Sequence, residues 1–182
     1  MILNNKNNEL SIKQILNTLA VTNDPKEWGK TLRELTDIGG DQVYDALLKF
    51  LETAPRELRY EVLSVLTKVN PSRSQSILVE VLNNDQDSDM QWVASGLLIN
   101  VVTVEILVPL TEALLKHPDV QVRVNIVTAL DKLGDKRALP ALKHARDHDA
   151  GKTEDGYSVR WLAERAIQRI ESRAKGEDRL QS

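Results

Sequence analysis

A pair made of an apolar residue followed by Arg or Gln returns at a nearly fixed interval: Leu58-Arg59, Met90-Gln91, Val122-Arg123 and Val159-Arg160. The first two steps are 32 residues and the third is 37, lengthened by an insertion around Gly151 to Gly156. A weaker copy opens at Trp28-Gly29. A period of this size predicts a stack of similar helical units, each burying its apolar face on its neighbours rather than in a central core.

The patterning inside each copy is helical. Pro25, Gly39-Gly40, Pro55, Asn70-Pro71, Pro118 and Gly134 punctuate the chain into about ten helices, or four to five pairs. Asn23 is the expected cap of the second helix, with Pro25 just inside it, and Thr103 caps a turn at Val102-Thr103. No period-two alternation competes for strands. A polar, disordered leader is expected over residues 1–9, one repeat domain over 10–173, and a polar tail over 174–182.

The helices alternate between two types, A and B. In the B type four columns are apolar in every copy: Leu58/Met90/Val122/Val159, Val62/Ala94/Ile126/Ala163, Val65/Leu97/Ala129/Ala166 and Leu66/Leu98/Leu130/Ile167. Their offsets share one helical face. In the A type Leu47, Leu78, Pro109 and Pro140 recur every 31 residues. A proline inside a helix costs about 3 kcal/mol, so these helices should bend or start late.

Bulk properties narrow the function classes. The net charge of −3 gives no field for polyanions. The absence of cysteine removes disulfides and thiolate metal sites and favours a cytoplasmic protein. No apolar run reaches the roughly 20 residues of a membrane helix, and the Asn-rich start does not read as a signal peptide.

The run Asp119-Val-Gln-Val-Arg123, then Ile126, Ala129-Leu130, Leu133-Gly134-Asp135 and Arg137-Ala-Leu-Pro-Ala-Leu142, resembles a HEAT repeat, more narrowly the HEAT-like repeat of phycobilisome lyases. Residues 118–145 carry the resemblance best, and it extends loosely over 25–172. It implies an all-α, right-handed α-α superhelix whose B helices line the concave side. It also implies two functions beside a plain interaction scaffold: work on phycobiliprotein chromophores, or a DNA-binding relative of the HEAT-like glycosylases. The acidic balance speaks against nucleic acid.

One B-helix column is not needed for stacking. Tyr60, Trp92, Val124 and Trp161 lie two residues past the first core column, about 200° round the helix. They are expected as an exposed ladder on the concave face, flanked by Arg59, Gln91, Arg123 and Arg160. Trp, Tyr and Arg are the residues most enriched at binding hot spots, so another protein is the expected partner. Within the Arg column itself, structural ladders with acids of adjacent repeats are the stronger reading.

His144 and His148 are four apart and, with Asp149, form the one weak metal candidate. No Glu follows the first His, as a zinc-hydrolase signature needs. Gly151-Lys152-Thr153 lacks the other elements of a phosphate loop, and no catalytic constellation emerges. The chain therefore reads as a non-catalytic binding module without a cofactor.

Overall fold

The computed structural model describes residues 2–22 and 24–180, with side chains over 11–22 and 24–173. It is all-α among these residues, with ten α-helices: α1 Ile2–Val21, α2 Pro25–Ile38, α3 Gly40–Leu51, α4 Arg56–Val69, α5 Pro71–Asn84, α6 Ser88–Val101, α7 Leu107–Lys116, α8 Val120–Leu133, α9 Leu139–His148 and α10 Val159–Leu180. The one departure is an isolated antiparallel bridge between Lys152 and Ser158. No described helix is long and apolar enough to cross a membrane.

The chain divides into two compact units, Met1–Ser74 and Gln75–Ser182. In the first, α1 packs on α2 and α3, and α4 on α2 and α3. In the second, the B helices α6, α8 and α10 form one row, α7 and α9 form another, and α7 packs on α8 as α9 does on α10. This is the A/B alternation expected from the columns. The residues of the four apolar B-type columns are all buried except Leu97, which is half-buried, whereas in the A-type column Leu47 and Leu78 are buried, Pro109 is half-buried and Pro140 is exposed.

Several local expectations are met for the stated reasons. α2 stops at Gly39, whose φ of +61° suits a residue without Cβ, and α8 stops at left-handed Gly134. Both recurrent prolines fall in a first turn, because α7 and α9 are each preceded by a 3-10 turn, Val104–Ile106 and Lys136–Ala138. Those helices start late rather than bend, so neither proline breaks an established hydrogen bond.

Other expectations need correction. Asn23 lies outside the described residues, and it is the Asp24 side chain that accepts from the Lys26 N–H at the head of α2. Thr103 stands at the expected turn but does not cap it; its hydroxyl donates to Gln75 Oε1 at 2.7 Å and also meets Glu105. α1 starts at Ile2, within the expected leader, and α10 runs to Leu180, within the expected tail. Neither added stretch contains a proline to stop a helix, and Gly176 alone costs only about 1 kcal/mol.

Candidate functional site

The second unit carries a polar ladder through the loops that precede its B helices. Gln91, the fourth residue after the Asp87 cap of α6, donates from Nε2 to the carbonyl of Asp85 at 2.7 Å. Its Oε1 meets His117 Nε2 at 3.2 Å in the next loop. Arg123, the fourth residue after the Asp119 cap of α8, repeats the arrangement one period on. Its Nη1 donates to the carbonyls of His117 at 2.9 Å and Pro118 at 2.7 Å. Its Nε and Nη2 hold Asp149 at 2.6 and 3.2 Å. Each ladder residue thus bonds a carbonyl six positions back and a side chain 26 positions ahead.

The pairing partners change together. Where the column has Gln, the next loop offers the imidazole N–H of His117; where it has Arg, the next loop offers the carboxylate of Asp149. Gln91 is therefore a working substitute for Arg rather than a lapse of the repeat. Trp28 joins the same register in the first unit: its indole N–H donates to the carbonyl of Thr22, six back, at 2.9 Å. The weak first copy is thus displaced by one residue, with Trp28 rather than Gly29 in the Arg column.

Electrostatics follow this geometry. Burial tends to raise the Asp149 carboxyl, but hydrogen bonds from Arg123 and the Gly151 N–H outweigh it and hold the group below the usual range. Burial lowers His117, aided by the Arg123 charge. Because the Asp119 N–H donates to His117 Nδ1 at 3.2 Å, the neutral ring carries its proton on Nε2, facing Gln91.

A pH prediction follows. The folded pKa of His117 lies below its unfolded value of about 6.5, so the unfolded chain binds more protons in that window. Stability is full above about pH 6.5 and falls as pH drops through the folded value. Thermal unfolding between pH 7.5 and 5.5 should show this loss, and His117→Asn should flatten it. An equally steep loss in the variant would remove His117 as its source.

Of the face expected to bind, Trp92 and Trp161 are 50% and 52% exposed. Val124 is not part of it: at 6% exposure it is buried, so the ladder of that column is broken at α8. Tyr60 and Arg59 sit on α4 in the first unit, both half-buried. Arg123 and Gln91 are committed to the loop ladder, while Arg160 is exposed in the first turn of α10 and lies 3.5 Å from the Asp147 carbonyl. The two tryptophans are not equivalent, since Arg165 lies over the Trp161 ring at 4.5 Å. Four residues after Trp92, the same helical offset holds Gly96.

The weak metal candidate is used otherwise. His144 and His148 stack with ring centroids 4.4 Å apart, His148 Nδ1 faces the His144 carbonyl at 3.0 Å, and Asp149 belongs to Arg123. Among the described residues no group of three metal-binding side chains converges.

The insertion is a folded element that sequence reasoning read only as a loop. Lys152 and Ser158 bridge, Thr153 N–H donates to the Tyr157 carbonyl at 2.9 Å, and Tyr157 N–H returns to Thr153 Oγ1 at 3.0 Å. The Val159 N–H closes onto the Gly151 carbonyl at 3.1 Å, so the regular helix resumes at once. Gly156, at φ +84°, makes the turn. This hairpin forms one wall of a cleft of about 350 Å³, lined also by Trp92 and the first turns of α6 and α8.

The repeat geometry is matched by a family model. The model of the PBS lyase HEAT-like repeat covers residues 122–148, which hold α8, the Gly134 stop and α9. That segment is similar to a HEAT-like repeat. No curated protein matches the sequence. Within the matched segment lie Arg123 and two features of its turn, the left-handed Gly134 and the Asp135 cap. Asp135 is lowered to about 2 by its hydrogen bonds with Arg137. The ladder enters the repeat at Arg123 and leaves it at Asp149, one residue past its end.

Proposed function

We propose that the chain is a non-catalytic interaction module that binds another protein on the B-helix face of its second unit. The observation that carries this reading is the pair of half-exposed tryptophans, Trp92 and Trp161, at an equivalent place in two B helices whose core columns are otherwise buried. Stacking does not use these rings. Large exposed aromatics are costly to leave in water, and they are the residues that dominate interface energetics.

The test is the double variant Trp92→Ala/Trp161→Ala. Each ring is half-covered, so truncation should cost about 1–2 kcal/mol apiece and leave the helices folded. Proteins that co-purify with the parent from the native host should be lost. Undiminished capture by a folded variant would overturn the reading.

The family match supports a second reading, a lyase-like module acting on phycobiliprotein chromophores. Titrating the protein with a free bilin tests it: a shifted absorption band supports it, and an unchanged spectrum at high protein concentration argues against it.

A further inference from the structure

We propose that the cleft beside Trp92 receives a lysine- or arginine-bearing segment of the partner protein. The inference rests on the interaction reading above and adds the chemistry of the occupant. Four carboxyl residues line the cleft, Asp89, Asp119, Glu154 and Asp155, and none of its lining residues is basic. Two of the four have a local reason to be there: Asp89 is in the first turn of α6 and Asp119 caps α8, both at the positive end of a helix dipole. Glu154 and Asp155 have no such reason. The hairpin carries them, exposed, into the lining of the cleft, together with the first turns of α6 and α8.

The hairpin is rigid enough to hold them. Its two strands are tied by the 152–158 bridge and the paired Thr153–Tyr157 hydrogen bonds, and Thr153 is buried beneath. The same cleft is lined by an indole that is half-exposed. An aromatic ring in a cleft lined by carboxylates selects a cation: the ring quadrupole attracts it and the carboxylates accept its hydrogen bonds.

The protein supplies its own example of the missing contact. Trp161 is covered by Arg165, four residues along the same helix. At the corresponding offset from Trp92 stands Gly96, where an added Cβ would meet nothing closer than Asn125 Nδ2 at 3.8 Å. At this offset the helix of Trp92 therefore supplies no cation to its ring. A volume of about 350 Å³ accommodates one long side chain with its neighbouring backbone.

The experiment uses the full chain and a fluorescein-labelled arginine-rich peptide, with a glutamate-substituted peptide as control. Fluorescence anisotropy should show binding of the arginine peptide alone. Trp92→Ala should weaken it about tenfold, the upper part of the cation–π range. Glu154→Gln with Asp155→Asn should weaken it similarly. Glu57→Gln, at an exposed acid of α4, should leave it unchanged. Calcium at matched ionic strength should not displace the peptide.

No binding, equal losses with Glu57→Gln, or displacement by calcium would overturn the proposal; the last two point to diffuse charge and to a metal occupant. These failures are separable from failure of the interaction reading. If host partners are still lost in the double tryptophan variant while the arginine peptide never binds, the face binds protein but not through a basic segment.

Discussion

Arg123→Ala is expected to destabilise the second unit by about 2–4 kcal/mol. Removing one member of a buried ion pair leaves the other charged and unpaired, which costs about 3–5 kcal/mol when burial is complete. Here the side chains of Arg123 and Asp149 retain 15% and 16% of their exposure, so water recovers part of that cost. The substitution also strips hydrogen bonds from the carbonyls of His117 and Pro118. Because each repeat contacts only its neighbours, the damage should be local. Amide exchange should accelerate in α9 and α10 while α6 keeps its protection. Uniform acceleration through the unit would show that the ladder does not define a local junction.

The ladder makes a sharper demand on the same position. Arg123→Gln with Asp149→His copies the Gln91–His117 pair one period along. Each single change mismatches donor and acceptor, so the double variant should recover at least about 1 kcal/mol over the sum of the singles, within the range of coupling for residues in contact. Additive losses would mean that the two rungs resemble each other without being interchangeable.

The architecture was legible because it is repetitive. Four apolar columns at fixed offsets identified the buried face, and the structure buries all of their residues but the half-buried Leu97. The prolines at 109 and 140 could be read as late helix starts, because only the first turn tolerates a residue without an N–H. The face expected to bind was legible only in part. Helical angle placed Trp92, Val124 and Trp161 alike, but exposure also depends on what lies alongside. Val124 is small enough to be covered where a tryptophan is not.

The ladder itself was hidden for a different reason. Its contacts join residues 26 apart, and the sign of each partnership shows only when Gln91 is compared with His117 and Arg123 with Asp149. Column 85/117/149 was present in the sequence at the same 32-residue step as the Arg column, and aligning the two would have exposed it. The one-residue displacement at Trp28 was hidden because its indole N–H replaces a guanidinium, a substitution that residue similarity does not suggest. The hairpin at 152–158 had no strand signal, since its order comes from one bridge, the Thr153–Tyr157 hydrogen bonds and the seat of Gly151 against Arg123 rather than from alternation.

Gly151→Ala is the second large effect, a loss of about 1–3 kcal/mol. Gly151 stands 32 residues after the Asp119 cap, where a regular repeat would place its next cap, and the insertion begins there instead. A Cβ at this position would lie 2.7 Å from Arg123 Nη2, 2.7 Å from Val120 Cγ2 and 2.8 Å from Asp149 Oδ1. A guanidinium at the end of a flexible side chain could normally retreat. This one is held by Asp149 and two carbonyls, so the methyl group must displace either the ladder or the start of α8. Gly156→Ala offers the contrast: its surroundings are open, and its cost of roughly 1 kcal/mol comes from the positive φ alone. Denaturant unfolding should therefore rank Gly151→Ala above Gly156→Ala. A reversed order would mean that the turn, and not the seat of the hairpin on Arg123, sets its stability. Combining Gly151→Ala with Arg123→Ala discriminates further. If the clash with the guanidinium dominates, the second substitution removes it, and the pair should cost less than the sum of its parts.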